Sequence, residues 1–273
     1  MSGRGELDIR MVLTDVDGTL ITAEGKLTDA VIRAAADLHR AGIVLAVTSS
    51  RPPRGMSMLV EPLGLTSVMA GFNGGVMVYP DQSEIESHPL DPLTARRTLD
   101  LILEQGLDAW VYSGPEWLVR DRTAPHVARE SRTVRFEPNI VPSFTDAELA
   151  RAVKIVGVSD DFELVASCGR SLRHSLGNNV SATNSRPYYL DVTNPQANKG
   201  EVVITLSKLL NIPLAQIATI GDGSNDVLMF ERSGFSIAMG NASDEVKASA
   251  SAVTEDNENS GFAYAIKKFV LHH

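Results

Sequence analysis

The sequence predicts an α/β fold in which a doubly wound, parallel β-sheet core carries an inserted α+β domain. Short, almost wholly apolar segments alternate with helical segments in the first third of the chain, and the alternation returns in the last third. Near-continuous apolar strands separated by helices are typical of a parallel sheet that is covered on both faces. The middle of the chain has alternating strand patterns and both tryptophans. This change of pattern indicates a second structural unit inserted into the first.

The first third supplies three strands and two helices. The strands are predicted at residues 10–14, 43–47 and 67–70, and the helices at residues 28–41 and 52–60. The first helix has apolar side chains on one face, and Gly42 ends it. Thr28 is its predicted N-cap, because a threonine hydroxyl can accept a hydrogen bond from an N–H group of the first turn.

The rest of the chain continues this pattern with one interruption. In the last third, helices are predicted at residues 199–210, 225–232, 243–249 and 261–270, and strands at residues 216–220, 235–238 and 252–254. In the middle, helices are predicted at residues 92–105 and 145–150, and strands at residues 109–112, 117–119 and 151–158. We therefore predict a core domain made of residues 1–82 and 188–273, with an inserted domain at residues 83–187.

Composition limits the possible partners of the chain. Of its 273 residues, 43% are hydrophobic and 22% charged, and the formal net charge is −9. Binding to a phosphate backbone needs clustered Lys and Arg, so this balance argues against nucleic acid or an anionic membrane as the main partner.

Cysteine content and hydropathy indicate the compartment. Cys168 is the only cysteine, which excludes an intrachain disulfide, and the apolar spacing around it predicts a buried core thiol. No run approaches about 18 consecutive apolar residues, and Met1 to Arg10 lack the apolar core of a signal peptide. We expect a cytoplasmic protein without a membrane span, either a monomer or a homodimer.

Two carboxylates follow the first predicted strand. Asp15 and Asp17 lie at its carboxyl end, where open α/β sheets bind their ligands, and Gly18 allows a sharp exit. The two carboxylates repel each other unless a cation lies between them, and Mg²⁺ is a hard ion that prefers such oxygen ligands. An ordinary Asp-Gly turn is the alternative interpretation.

Further polar residues follow other strands or begin helices. Asp222 and Asp226 flank Asn225 after the strand at residues 216–220, where a helix N-cap would explain only one aspartate. Lys199 begins a helix, and Ser49 and Ser50 follow the second strand, where hydroxyl and N–H groups could bind phosphate oxygens. Taken singly, Lys199 and the two serines are weak signals. Together with the two aspartate pairs they supply a nucleophile, an acid, a metal site and a positive charge at one edge of the sheet.

At this point the sequence resembles the haloacid dehalogenase superfamily of phosphohydrolases. The residues similar to its four motifs are, in order, Asp15-Val16-Asp17-Gly18-Thr19, Ser49, Lys199 and residues 222–226. The long insertion, with Asn73-Gly74-Gly75, Asn198-Lys199-Gly200 and residues 238–242, resembles the Cof-type branch, which has a Rossmann-like core and a large α/β cap of the C2 type. Two positions depart from that branch: Ser50 stands where glycine is usual, and Gly223 where asparagine is usual.

The resemblance implies a Mg²⁺-dependent phosphatase that acts on a small phosphorylated metabolite, such as a sugar phosphate, through an aspartyl-phosphate. It assigns Asp15 as the nucleophile, Asp17 as the proton donor and acceptor, and Lys199 as the charge partner of Asp15. The implied metal ligands are Asp15, Asp17 through its backbone carbonyl, Asp222 and, in support, Asp226. The expected phosphate contacts are Ser49, Ser50, Lys199 and Asn225.

Two other functions remain open on the sequence. A non-catalytic phospho-ligand sensor would not need the second acid, Asp17, and a phosphomutase fits less well with a large α/β cap. The substrate itself is not determined, although polar and aromatic residues of the inserted domain are candidates for contacting it. These candidates, each of which could instead be core or surface, are Trp110, Tyr112, Trp117, Arg120, Arg122 and His126.

Overall fold

A computed structural model of the chain describes residues 8–272. Residues 1–7 and 273, which the predicted core domain includes, lie outside the described residues, as does most of the polar amino-terminal segment. Fourteen strands are described: β1 (Met11–Thr14), β2 (Val44–Thr48), β3 (Met69–Gly71), β4 (Val76–Val78), β5 (Glu84–Ser87), β6 (Asp108–Ser113), β7 (Glu116–Val119), β8 (Asn139–Ile140), β9 (Ala152–Val158), β10 (Ser181–Arg186), β11 (Tyr189–Thr193), β12 (Ile217–Gly221), β13 (Phe235–Ala238) and β14 (Ala252–Val253).

Ten α-helices connect the strands in this part of the chain. They are α1 (Asp29–Arg40), α2 (Val60–Leu63), α3 (Pro92–Glu104), α4 (Val127–Val134), α5 (Asp146–Leu149), α6 (Phe162–Leu176), α7 (Lys199–Leu210), α8 (Val227–Arg232), α9 (Asp244–Ser249) and α10 (Gly261–Ala265). The predicted bounds of α7 and β13 are confirmed to the residue, and Thr28 caps α1 by accepting a hydrogen bond from the Val31 N–H.

The larger sheet has eight strands in the order β14-β13-β12-β1-β2-β3-β4-β5. The first six run parallel, whereas β4 and β5 extend the sheet in antiparallel fashion. The α/β fold is confirmed, and the antiparallel extension is an addition that the sequence analysis did not predict. Side chains alternate between the two faces of β1: Met11 and Leu13 join the apolar cluster under α7 and α8, and Val12 joins the cluster under α1 and α10. Both faces are thus covered by helices, which explains the continuous apolar strands.

Two predicted helices differ from what the structure shows. Residues 53–59 form a 3₁₀ helix and only Val60–Leu63 is α-helical. Pro62 has no N–H to donate to the carbonyl of Met58, so a continuous α-helical ladder is interrupted at this point. The predicted helix at residues 261–270 is α-helical as far as Ala265 and continues as a π-helical turn over Ile266–Val270.

The smaller sheet belongs to the inserted domain. Its six strands follow the order β10-β11-β9-β6-β7-β8, and α3 and α6 pack on one face around Leu99, Ile155 and Cys168. The opposite face is turned toward the core domain: the ring of Tyr112 lies 5.1 Å from that of Phe72, centroid to centroid. The inserted sheet therefore forms a roof over part of the core.

The predicted domain limits at 82/83 and 187/188 do not follow sheet membership. β5 pairs with β4 and so belongs to the core sheet, whereas β11 pairs with β9 and β10 in the inserted sheet. These limits rested on the change of pattern alone, since neither β5 nor β11 was among the predicted strands. We propose instead that the inserted domain begins after Ser87 and ends after Thr193.

Between residues 8 and 272, no helix combines the length and apolar character that crossing a bilayer would require.

Candidate active site

Three neighbouring strands deliver polar side chains to one edge of the core sheet. Asp15 follows β1, Ser49 follows β2 and Asp222 follows β12, and β1 lies between the other two strands in a parallel register. The Asp15 N–H donates to the Ile220 carbonyl, 2.9 Å away, which fixes the turn beyond β1. The convergence that the sequence predicts at this edge is therefore present.

Lys199 reaches the same point from the first turn of α7. Its side chain is buried, and Nζ lies 2.5 Å from Asp15 Oδ1 and 2.6 Å from Asp226 Oδ1. Burial alone would lower the pKa of Lys199, but the two carboxylates raise it above its ordinary value. The lysine thus remains a cation, and one of its three N–H groups is not engaged by these two aspartates.

Three carboxylates crowd around this lysine. Asp15, Asp222 and Asp226 each place an oxygen within 4.8 Å of the others. Burial raises the pKa of Asp15 well above its usual range, and the Lys199 ammonium lowers it back only in part. Burial, with the neighbouring Asp226 carboxylate, raises the pKa of Asp222 to about 6.

The donor set fits a hard divalent cation. Three carboxylates and one ammonium carry a formal charge of −3 + 1 = −2, and all the donors are oxygens. Burial, followed by repulsion from the neighbouring carboxylates, raises the pKa values of Asp15 and Asp222, so a bound cation would stabilise their ionised forms. A divalent cation would balance that charge.

The aspartates differ in how freely they could act as ligands. Asp226 Oδ1 accepts from Lys199, and Oδ2 accepts from the N–H groups of Asp222 and Gly223 at 2.9 and 2.8 Å. Asp226 therefore organises the loop that carries Asp222, which agrees with a supporting role. Asp222 is oriented by hydrogen bonds from Thr19 and from Asn241, a side chain that the sequence analysis did not identify as part of the site.

Gly18 has φ of +78°, and a Cβ at this position would overlap the Asp222 carboxylate. The turn after Asp17 therefore needs glycine both for its backbone conformation and for the close approach of the two loops.

Asp17 is held away from the carboxylate cluster by an arginine. Arg51 Nε and Nη2 donate to the two Asp17 oxygens at 2.7 and 2.6 Å, and Nη1 donates to the Thr133 carbonyl of the inserted domain at 2.7 Å. Arg51 is nearly buried, and Asp17 is half-exposed. Arg51 directly follows Ser49 and Ser50 in the sequence and was given no role there, although a long cation next to a phosphate loop is a signal that could have been used.

The predicted phosphate contacts lie around the same cavity. Ser49 is buried, and its Oγ accepts from the Arg51 N–H at 3.1 Å, which leaves its own proton to donate. Ser50 is exposed and lines the cavity, as does Asn225, whose amide donates to Asn73 Oδ1 at 2.9 Å.

These residues line what we call the Asp15 cavity, with a volume of about 550 Å³. Its roof is formed by the inserted domain through Lys154, Asn184, Asp191 and their hydroxyl-bearing neighbours. None of the six predicted candidates from the inserted domain lines this cavity. The aromatic ones are buried: Trp110, Tyr112 and Trp117 pack in the apolar interior between the domains. The others pair on the surface or at its edge: Arg120 with Asp108, Arg122 with Glu137, and His126 with Asp160.

Residues 12–266 match the family model of the haloacid dehalogenase-like hydrolases. A pyridoxal phosphate phosphatase of Escherichia coli is 27% identical over 272 residues, covering 96% of this chain and 99% of its own. A 5-amino-6-(5-phospho-D-ribitylamino)uracil phosphatase of Bacillus subtilis is 26% identical over 268 residues, with 98% of each chain covered. The crystal structure of a haloacid dehalogenase-like hydrolase from Bacteroides thetaiotaomicron superposes with a TM-score of 0.88 at 22% identity, covering 95% of this chain and 99% of its own.

Proposed function

Since the chain belongs to the haloacid dehalogenase-like hydrolases and is a phosphoric monoester hydrolase, we propose that it dephosphorylates a small metabolite through a phosphoryl group carried on Asp15. The observation that carries this proposal is the buried contact of Lys199 with Asp15, beside Asp222 and open to a cavity. A carboxylate held by a lysine at a cavity wall is placed to act as a nucleophile.

In the proposed reaction, Asp15 Oδ2 attacks phosphorus, because Oδ1 is occupied by Lys199. The bond between phosphorus and the leaving oxygen breaks, and Asp17 gives that oxygen a proton. Water then attacks the phosphoryl group, Asp17 takes a proton from it, and the bond to Asp15 breaks to release phosphate. Arg51 holds the Asp17 carboxylate in one orientation through two hydrogen bonds, and one of these must give way while that oxygen carries the proton.

The surrounding groups would bind the phosphoryl oxygens. Lys199 has a third N–H group, Ser49 a free hydroxyl proton, and Ser50 and Asn225 line the cavity. Mg²⁺ would be held by Asp15, Asp222 and the Asp17 carbonyl, with Asp226 in support, and when bound it would neutralise part of the charge between nucleophile and phosphate.

For the substrate we propose a hydroxylated phosphomonoester such as a sugar phosphate. The roof of the Asp15 cavity supports this class, because Lys154, Asn184 and Asp191 offer hydrogen-bond donors and acceptors and no aromatic face. Relatives named for pyridoxal phosphate and for a phosphoribityl compound are in keeping with small phosphorylated metabolites.

The test is hydrolysis of p-nitrophenyl phosphate with Mg²⁺ by the wild type, Asp15→Asn and Asp17→Asn. We expect Asp15→Asn to lose essentially all turnover while its circular dichroism is unchanged. Asp100→Asn, at an exposed position of α3, is the matched control and keeps full activity. Full activity of Asp15→Asn would refute the assignment of Asp15 as the nucleophile.

Asp17→Asn tests the proton transfer separately. Its rate should fall much more with an alkyl phosphate than with p-nitrophenyl phosphate, because the aryl leaving group departs without a proton. An equal fall for both esters would exclude the proposed role of Asp17.

A further inference from the structure

A second cavity lies on the other side of Asp17, with a volume of about 640 Å³. It lies between the core domain, at the loop of residues 22–25, and the inserted domain, at α4 and the end of β10. Five arginines line it, and we call it the arginine cavity: Arg51, Arg129, Arg132, Arg135 and Arg186.

Part of this positive charge is not neutralised locally. Arg51 is paired with Asp17, but among the described residues the other four arginines form no ion pair. Arg135 donates to the Gly25 carbonyl at 3.3 Å, and Arg129 lies over the ring of Tyr188 at 5.3 Å from its centroid. Neither contact supplies a negative charge.

Three carboxylates also line the cavity, those of Asp17, Glu24 and Glu130, so its five arginines leave a formal excess of two positive charges. Glu130 accepts from the hydroxyls of Tyr112 and Tyr189 at 3.0 and 3.2 Å, and Glu24 pairs with Lys26 at 2.7 Å. Four guanidinium groups around one space repel one another, and in a chain of net charge −9 their clustering is not a consequence of composition. Guanidinium groups bind phosphate and carboxylate through paired hydrogen bonds, so an anion is the ligand that fits this cavity.

Asp17 lines both cavities. Because the proton donor must touch the leaving-group oxygen, the leaving group has to lie against Asp17, from where it can extend under the roof of the Asp15 cavity or into the arginine cavity. We propose that the arginine cavity binds a second anionic group, phosphate or carboxylate, carried by the leaving group of the substrate. The inference rests on the proposed function and narrows its substrate class to phosphomonoesters with a second negative group.

The test compares substrates that differ only in that group. 3-Phosphoglycerate carries a carboxylate where glycerol 3-phosphate carries a hydroxymethyl group, and fructose 1,6-bisphosphate carries a phosphate where fructose 6-phosphate has a hydroxyl. We expect kcat/KM to be at least about tenfold higher for the doubly anionic member of at least one pair, and the preference to shrink as salt is added.

The variant Arg132→Gln/Arg186→Gln should bring that ratio close to one without changing kcat/KM for p-nitrophenyl phosphate, which has no second anion. Arg33→Gln/Arg170→Gln removes the same charge from exposed positions of α1 and α6 and should leave the ratio intact. A ratio that the arginine-cavity variant does not lower, or a wild type without preference in either pair, overturns the inference.

The two proposals fail in different ways. Absence of p-nitrophenyl phosphate turnover would count against the proposed function alone. The inference would then be decided by calorimetric affinities for the same pairs in EDTA, with and without the arginine-cavity substitutions. Added malonate gives a further check. If malonate binds without competing with 3-phosphoglycerate, the cavity takes a separate anion and the inference is wrong.

Discussion

Lys199→Met removes the single cation from the carboxylate cluster while keeping a side chain of similar length. Lys199 is 1% exposed and contacts Asp15 and Asp226 at 2.5 and 2.6 Å. Without a metal, the formal charge of the cluster changes from −2 to −3. The substitution therefore leaves two buried carboxylates without their partner.

The size of the effect follows from that burial. Breaking a buried ion pair by removing one partner costs about 3–5 kcal/mol of folding free energy. The loss should be smaller at low pH: burial already raises the pKa of Asp15, and losing the ammonium raises it further, so the variant protonates Asp15 as the pH falls. We expect about 3–5 kcal/mol at pH 7.5 and clearly less at pH 5.

Urea unfolding in EDTA, followed by far-ultraviolet circular dichroism, measures this difference. Lys208→Met is the control, since Lys208 lies exposed in the last turn of the same helix. A loss below about 1 kcal/mol at pH 7.5, or an equal loss at both pH values, would refute the reasoning. Phosphatase activity of Lys199→Met should be lost in the same preparations.

Three further predictions concern the metal, a glycine and the cysteine. The pKa of Asp222 is raised to about 6, so the metal-free protein loses stability as the pH rises through 6. Mg²⁺ should therefore raise Tm more at pH 7.5 than at pH 5. Equal gains in Tm at the two pH values would contradict this. Gly18→Ala should abolish activity by displacing Asp222. Gly25 also has a positive φ but lies in open space, so Gly25→Ala should lower the free energy of unfolding by only about 1 kcal/mol in urea and stay active. Equal effects of the two substitutions would be evidence against the close approach of Gly18 to the Asp222 carboxylate. Burial raises the pKa of Cys168 to about 11, so a disulfide reagent at pH 8 should modify it only after unfolding, and rapid labelling of the native protein would show otherwise.

The sequence was most informative where local pattern and burial coincide. β1 and α7 have continuous or one-sided apolar patterns, and each begins or ends within two residues of its predicted limit. Asp15, Ser49, Lys199 and Asp222 were found for the same reason, since each directly follows or begins such an element. Parallel strands bring their carboxyl ends to one edge whatever the details of the loops.

The sequence was least informative where function depends on contacts between the two domains. Trp110 and Trp117 were considered as substrate contacts because they are large and partly polar, yet they pack between the sheets. Lys154 and Asp191, which line the roof of the Asp15 cavity, lie on β9 and β11, where the strand pattern does not show which face is turned to the core. The pairing of Arg51 with Asp17 likewise spans 34 positions of sequence and leaves no local trace.

The inserted domain leaves the core after Ser87 and returns after Thr193, and these two ends are tied together. The Asn194 amide donates to the Pro89 carbonyl at 2.9 Å, so the outgoing and returning chains lie side by side. The insertion therefore joins two neighbouring points of the core domain, as a tight turn would. The entropic cost of bringing its two ends together grows only slowly with the length of the insertion. The contact between Lys199 and Asp15 is made by two residues of the core domain, so the roof could change in size and chemistry without breaking that contact.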